Sequence, residues 1–178
     1  MGKLNAPVVY GGPELTVKVV NNSFRLNIKK YVRISILDMI ELVDIIDGID
    51  VELTEDEAYY IDLWIQDVKK ITHRSDEVPL LKNGGIKHLN GLQTVTHARN
   101  RTMGYMVGRE NRFNQIILAI VHKVRDGKNI FQIVRLISRL FKYVETNIGI
   151  IEWMRLIAFG IDEGKYCRFI FIKRQDEK

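Results

Sequence analysis

An acidic segment, residues 34–68, constrains the fold of this chain more than any other part of the sequence. It contains eleven Asp and Glu residues and no Lys or Arg, so its formal charge is −11. Ala58, Ile61 and Ile65 nevertheless recur within it at helical spacing, a pattern that predicts an amphipathic helix with one face in a core. We therefore expect this segment to fold rather than to remain a solvated run of charge.

Two capping signals divide the acidic segment into two helices. Ser35 is followed by an Asp three residues later and opens a helix over residues 36–47. Thr54 is followed by a Glu at the same spacing and opens a second helix over residues 55–71. In such a capping box the two side chains satisfy backbone N–H groups that the first helical turn leaves without partners.

The N-terminal residues predict extended structure. Pro and Gly near the start of the chain favour a short extended arm, residues 1–14. Apolar and polar residues then alternate on both sides of the turn residues 21–23. This alternation indicates an N-terminal β-hairpin with one apolar face and one basic face.

The C-terminal part of the sequence predicts helices and a final strand. Residues 113–124 and 130–144 each show apolar residues at helical spacing and predict a helical hairpin. Residues 150–161 predict a further helix, and alternation over residues 167–172 predicts a C-terminal strand. In an alternative interpretation, residues 155–161 form a strand that pairs with the C-terminal one.

Residues 72–112 lack helical periodicity and predict an irregular, basic loop region that Gly and Pro interrupt repeatedly. So long a loop is uncommon inside a compact domain. Residues 92–97 and 102–107 are therefore candidates for two short paired strands. The full chain, residues 1–178, predicts a single α+β domain that is mostly helical, with about five helices.

Basic residues are concentrated in the second half of the chain. Residues 78–143 contain twelve Lys and Arg against two acidic residues, a net charge of +10. Arginine suits bidentate contacts to phosphate, and a neighbouring aromatic ring can stack on a base. We predict a surface that binds nucleic acid or another anionic surface, formed by Lys82, Lys87, Arg99, Arg101, Tyr105, Arg109, Arg112, Arg135, Arg139 and Lys142. The alternative is a solvated helix face whose charges pair internally with the acidic segment.

The acidic segment is predicted to form the other half of an electrostatic contact. No Lys or Arg offsets its charge locally, so its partner lies elsewhere in this chain or in a second copy. The candidate oligomer or partner contacts are Asp38, Glu41, Asp44, Asp47, Glu55 and Asp56.

No motif for catalysis, metal binding or cofactor binding stands out. Cys167 shares its predicted strand face with Phe169 and Phe171, which favours a buried thiol over a nucleophile. The four histidines lack the spacing of an H-E-x-x-H zinc site and are expected in loops or on the surface. We predict no catalytic residue, no metal and no cofactor. The single cysteine and the lack of a signal sequence or a long apolar run predict an intracellular, cytoplasmic protein, or a virion-associated one if it is viral.

Three functions remain as hypotheses. The first is a non-enzymatic, self-associating structural protein, a homo-oligomer whose basic surface binds RNA or an anionic membrane. Viral matrix and nucleocapsid-associated proteins are similar in layout. This hypothesis predicts no small-molecule substrate. The second is an intracellular regulator or inhibitor that binds a protein partner through the acidic helices, and the third is a small enzyme of unknown reaction.

Overall fold

From Ala6 onward, the beginning of the chain is helical rather than extended. The structure, a computed structural model, describes residues 6–100, 106–125, 138–139 and 141–155. Its first element is helix α1 (Ala6–Phe24), which kinks where Gly11 and Gly12 leave helical geometry just before Pro13. The predicted β-hairpin is therefore wrong, and the residues of the predicted extended arm that are described also lie in α1.

The alternation that suggested strands is also compatible with a helix. Thr16 and Val20 are the buried residues of α1, and residues four apart lie on one helical face. In the last turns of α1, the Asn21 side chain accepts from the N–H of Ile28 and donates to its carbonyl, each at 2.8 Å. Asn21 therefore closes the loop that leaves α1, rather than a hairpin turn.

The rest of the described chain consists of helices and short strands. They are β1 (Val32–Arg33), α2 (Ile36–Ile45), β2 (Ile49–Leu53), α3 (Glu55–Thr72), β3 (Gly85–Leu89), α4 (Gly91–Arg99), α5 (Met106–Arg125), a 3-10 helix (Phe141–Tyr143), β4 (Glu145–Thr146) and α6 (Ile150–Arg155). β2 pairs antiparallel with β3, with Ile49 opposite Leu89, and β1 pairs antiparallel with β4. The predicted class, α+β and mostly helical, is confirmed.

The caps predicted for the acidic helices are present. Ser35 Oγ accepts from the N–H of Asp38 at 3.0 Å at the start of α2. At the start of α3, Thr54 Oγ1 accepts from the N–H of Glu57 at 3.2 Å, and Glu57 Oε2 accepts from the N–H of Thr54 at 3.1 Å. The two acidic helices therefore begin where the sequence predicts.

The region predicted to be irregular, residues 72–112, contains regular structure. β3 and α4 lie within it, and α5 begins before it ends. Residues 92–97, a candidate strand, lie in α4, which begins with a capping box of Asn90 and Gln93. The amide pair performs the same function as the Thr and Glu pair of α3. Only Ser and Thr were considered as capping residues in the sequence, and this helix start was therefore not identified.

The first helix of the predicted helical hairpin, residues 113–124, is confirmed as part of α5. Most of the second, residues 130–144, lies outside the described residues. The predicted helix at residues 150–161 is confirmed as α6 over its described part. The predicted C-terminal strand, residues 167–172, lies outside the described residues.

The hydrophobic core lies between α2, α3, α4, α5 and the β2–β3 sheet. Its most buried large side chains, Ile40, Ile49, Ile61, Leu89 and Ile116, are at most 1% exposed. Burying a side chain of this size contributes about 1.5–3 kcal/mol. The acidic helices thus supply a large part of the core through their apolar faces. Within the described residues, none of the helices is long and apolar enough to span a membrane.

Candidate functional site

The start of α3, the end of α4 and the beginning of α5 surround a buried polar cluster. Its members are Glu57, His97, Asn100 and Arg112, and we call it the helix-junction cluster. His97 and Asn100 are 0% exposed and Arg112 is 4% exposed. Burying polar and charged groups costs free energy unless they are paired. Such clusters are candidates for functional sites because proteins retain them for a reason other than packing.

Arg112 connects α5 to the other two helices. Its Nη2 donates to the carbonyl oxygen of Asn100 at 2.9 Å, and Asn100 is the C-cap residue of α4. Its Nη1 lies 3.9 Å from Glu57 Oε1. A cation at the C-terminus of a helix is favoured by the helix dipole. Arg112 therefore fixes the end of α4, where Arg99 is the last helical residue.

Glu57 makes two contacts with its two carboxylate oxygens. Oε2 completes the capping box of α3 by accepting the Thr54 N–H, while Oε1 faces Arg112. The Glu57 side chain is only 16% exposed, and partial removal from water strengthens its attraction to the guanidinium. The carboxylate that completes the cap of α3 therefore also places a negative charge beside the buried arginine.

His97 is buried in its neutral form. Burial lowers its pKa to about 4, with Glu57 opposing this change and Arg112 adding to it. Neither ring nitrogen has a hydrogen-bond partner among the described residues. A neutral ring does not compete with Arg112 for the Glu57 carboxylate. The prediction that the histidines lie in loops or on the surface is wrong for His97.

We expect His97 to make the stability of the protein depend on pH. Its folded pKa of about 4 lies below the ordinary value of 6.5, so the unfolded chain binds the proton more readily. The resulting stability is complete above pH 6.5 and is lost as the pH falls toward 4. Across this pH range, the shifted pKa of His97 changes the free energy of unfolding by about 3 kcal/mol. Urea unfolding at a series of pH values across this window measures it.

The variant His97→Asn separates this effect from the titration of carboxylates. Between pH 6.5 and 4, its free energy of unfolding should fall less steeply than that of the wild type. His122→Asn is the matched control, because His122 is exposed on α5. The control should follow the wild-type profile. Equal slopes in the wild type and in His97→Asn would contradict the assignment.

Part of the acidic segment is paired within the chain. Arg74 binds Glu41, and its Nη2 and Nε lie 3.4 Å from Asp44 and 2.7 Å from Asp76. Asp44 Oδ1 also accepts the Gly91 N–H at 2.8 Å. Burial raises the pKa of Asp44, while the Gly91 amide and Arg74 oppose the rise. Glu41 and Asp44 therefore have partners in their own chain, which is one of the two alternatives that the sequence left open.

The other predicted acidic contacts are more open. Asp47, Glu55 and Asp56 are exposed, while Asp38 is half-buried. Asp38 lines a polar cleft together with Lys142, a member of the predicted basic surface. Acidic and basic segments therefore approach one another within one chain at this cleft, and again where Glu57 faces Arg112.

The structure brings part of the predicted basic surface to the α4–α5 connection. Arg99 ends α4, and Arg109 lies on α5 one turn before the buried Arg112. Arg101 and Tyr105 fall between the two helices in sequence and lie outside the described residues. This stretch of the chain is the densest group of predicted site residues.

The remaining basic candidates lie elsewhere. Lys82 and Lys87 lie next to or on β3, where Lys87 Nζ donates to Asn83 Oδ1 at 2.5 Å. Arg139 and Lys142 are exposed, with Lys142 in the 3-10 helix. Arg135 lies outside the described residues. The described candidates therefore do not all share one surface.

His97 and Asn100 were missed as site residues because α4 has no amphipathic pattern. Its residues from Gly91 to Ala98 are all buried, and a helix buried on every side shows no polar stripe. Glu57 was recognised only as a capping residue, since the sequence does not show what its second oxygen faces. Among the described residues, no group of three or more His, Cys, Asp or Glu side chains is arranged to hold a metal ion.

Comparison with known proteins identifies related sequences and folds. The LytR_cpsA_psr family profile matches residues 1–163. The polyisoprenyl-teichoic acid–peptidoglycan teichoic acid transferase TagV of Bacillus subtilis (strain 168) is 30% identical over 156 residues, covering 86% of this chain and 37% of that protein. Biofilm regulatory protein A of Streptococcus mutans is 26% identical over 150 residues, covering 83% of this chain and 34% of that protein.

The fold is also similar to that of a relative of known structure. The crystal structure of Bacillus subtilis TagV matches with a TM-score of 0.65 at 28% identity, over 87% of this chain and 55% of that chain. All four members of the helix-junction cluster lie within the residues that match the family. The chain spans about a third of the length of the curated relatives.

These comparisons correct the predicted function. The related teichoic acid transferases are enzymes, so the hypothesis of a non-enzymatic, self-associating structural protein of the viral matrix type is wrong. The predicted RNA-binding role and the predicted absence of a small-molecule substrate are wrong for the same reason. Positive charge indicates an anionic partner without specifying which anion. The inhibitor hypothesis is not supported by the related proteins either, and two of its proposed contact residues, Glu41 and Asp44, are paired within the chain.

Proposed function

Since the chain belongs to the LytR_cpsA_psr family, we propose that it acts in the transfer of an anionic glycopolymer from a polyisoprenyl carrier to peptidoglycan. The name of TagV states this reaction for teichoic acid. The similarity to TagV over 86% of this chain is the observation that carries the proposal. The anionic glycopolymer takes the place of the nucleic acid or membrane that charge alone suggested.

The substrate contact is proposed to lie at the α4–α5 connection. Arg99, Arg101 and Arg109 belong to one short stretch of sequence that joins the two helices. Teichoic acids carry phosphate groups, and the planar guanidinium fork binds phosphate oxygens in pairs. Three such side chains in this stretch could neutralise a phosphate-bearing substrate during transfer.

The helix-junction cluster supports this role by holding the end of α4 against the beginning of α5. Arg112 binds the carbonyl of Asn100, the residue between Arg99 and Arg101. The buried charges of Arg112 and Glu57 restrict how far the ends of α3, α4 and α5 can move apart. In this proposal Arg112 is a positioning residue, while the other arginines contact the substrate. Positive groups already in place before the reaction stabilise developing negative charge most effectively.

Arginine variants test the proposed contact. We expect Arg101→Ala and Arg109→Ala each to reduce the transfer of labelled teichoic acid from a polyisoprenyl-linked donor to peptidoglycan by about 10- to 100-fold. This range corresponds to the loss of hydrogen bonds to a charged group, about 1.5–3 kcal/mol. The measured quantity is the initial rate with the full chain.

Lys82→Ala is the matched control for that assay. Lys82 is an exposed cation beside β3, outside the α4–α5 connection, so its removal should leave the rate unchanged. An equal loss in Lys82→Ala would indicate a general effect of net charge. A wild-type chain that transfers no polymer, or arginine variants with the wild-type rate, would refute the proposal.

A further inference from the structure

The polar cleft that Asp38 and Lys142 line shares no residue with the helix-junction cluster. It lies between the start of α2 and the segment formed by the 3-10 helix and β4, and its volume is about 250 Å³. Its polar lining consists of Arg33, Ser35, Asp38, Lys142, Tyr143 and Glu145. These residues come from two parts of the chain that are far apart in sequence, so the cleft exists only in the folded protein.

Contacts across the two segments hold the walls of the cleft. Arg33 forms an ion pair with Glu145, the residue opposite it in the β1–β4 pair. Next to it, Thr146 Oγ1 donates to the carbonyl oxygen of Tyr31 at 2.5 Å. Within the C-terminal segment, the ring of Phe141 lies edge-on to Trp153 of α6 at a centroid distance of 6.4 Å. The cleft is therefore preformed, which reduces the entropy lost on binding a ligand.

The charges of the lining residues select a class of ligand. Arg33 and Lys142 are cations, Asp38 and Glu145 are anions, and the formal charge of the cleft is zero. A phosphate would approach two carboxylates, and a metal ion would approach two cations. A neutral ligand with several hydroxyl groups avoids both conflicts, because each hydroxyl can donate to a carboxylate and accept from a cation.

Two groups in the cleft remain available to a ligand. Asp38 is not one of these two groups, because its Oδ2 already accepts a hydrogen bond from Ser35 Oγ at 2.5 Å. By contrast, no described residue forms a hydrogen bond or an ion pair with the side chain of Lys142 or Tyr143. Lys142 is exposed and Tyr143 is half-buried. An ammonium donor beside an aromatic ring offers both a polar and an apolar contact.

We infer that this cleft is a saccharide-binding subsite for one uncharged sugar unit of a glycan. Its volume of about 250 Å³ lies just below the ~300–1,000 Å³ of sites for drug-sized ligands. Lys142 and Asp38 provide the donor and the acceptor for sugar hydroxyls, and Tyr143 provides an apolar surface. The inference rests on the proposed function only for the source of the sugar, which is either the glycopolymer donor or the peptidoglycan acceptor.

NMR titration of the full chain tests saccharide binding directly. We expect the disaccharide of N-acetylglucosamine to shift the amide signals of Ser35 and Tyr143 in a saturable manner. Lys142→Met and Tyr143→Ala should each weaken binding about 10-fold, the effect of losing about 1.4 kcal/mol. Lys82→Met, which changes an exposed lysine outside the cleft, should bind like the wild type.

Two further titrations identify the source and the charge of the ligand. The disaccharide represents the peptidoglycan acceptor, and a soluble teichoic acid fragment represents the donor. Binding of either one that depends on Lys142 supports the subsite and assigns its source. Inorganic phosphate that shifts the same signals and displaces the sugar would overturn a site for neutral ligands. So would the absence of shifts in Ser35 and Tyr143, or wild-type affinity in Lys142→Met.

The outcome is independent of the transfer assay. A chain that binds the saccharide but transfers no polymer refutes the proposed function and leaves the subsite intact. A chain whose transfer depends on Arg109 but that binds no saccharide in the cleft refutes the subsite alone. Circular dichroism of each variant confirms that Lys142→Met and Tyr143→Ala remain folded.

Discussion

Gly91→Ala is expected to lower the free energy of unfolding by about 3 kcal/mol, at the upper end of the range for overpacked cores. A Cβ atom at Gly91 would lie 2.8 Å from the Cα of Ile40 and would also collide with the Ile40 carbonyl oxygen. These are backbone atoms of α2 and cannot rotate away. α4 would have to shift from α2, and the hydrogen bond from the Gly91 N–H to Asp44 would be disturbed.

Gly149→Ala is the matched control for this prediction. The nearest atom to a Cβ at Gly149 is Glu152 Oε2, at 3.9 Å, so the change should alter stability by less than about 0.5 kcal/mol. Urea unfolding of both variants provides the comparison. If Gly91→Ala unfolds at the same urea concentration as Gly149→Ala, α2 and α4 do not pack as closely as the structure indicates.

Arg112→Met is expected to lower the free energy of unfolding by about 3 kcal/mol, because it leaves a partly buried Glu57 without its cation. It also removes the donor to the Asn100 carbonyl at the end of α4. Arg112→Lys should recover only part of the loss, since an ammonium lacks the guanidinium fork that reaches two acceptors. Urea unfolding measures both variants.

A double-mutant cycle identifies how much of this loss comes from Glu57. If the two side chains interact, Glu57→Gln combined with Arg112→Met should be less destabilising than the sum of the single changes. Arg139→Met is the control, because Arg139 is exposed and its removal should have little effect. Additive changes at Glu57 and Arg112 would show that the 3.9 Å approach contributes nothing to stability.

The transfer assay then distinguishes positioning from contact. Arg112→Lys keeps a charge at the helix junction, so its transfer rate should recover partially if Arg112 acts through the end of α4. Arg109→Lys should retain less activity if the arginine fork binds phosphate directly. Both variants keep the net charge of the wild type. They therefore differ only in which guanidinium group, that of Arg109 or that of Arg112, has been replaced by an ammonium group.

Sequence patterns were informative where a local rule decides the structure. The N-cap at Ser35 and the capping box at Thr54 place the starts of α2 and α3 correctly, because a cap depends on residues within one turn. The same rule, extended to Asn90 and Gln93, would have located α4. The alternation at the N-terminus failed because residues such as Thr16 and Val20 satisfy a strand pattern and a helix pattern equally well.

The candidate site depended on contacts that no local pattern encodes. The density of arginines around residue 100 was visible in the sequence, but its chemistry was misassigned because charge does not distinguish one polyanion from another. His97 lies on a helix buried on every side, where periodicity carries no information. Its partners, Glu57 and Arg112, belong to two other helices.

The sequence by itself therefore determined the mostly helical α+β class, the starts of the acidic helices and the separation of acidic from basic charge along the chain. Only the tertiary structure decided that Arg74 neutralises Glu41 and Asp44, that Arg112 faces Glu57, and that Asp38 shares a cleft with Lys142. The physical reason is the separation along the chain of the residues that interact. A helix start is set by hydrogen bonds within one turn, whereas the pairing of charges depends on which faces the core brings together.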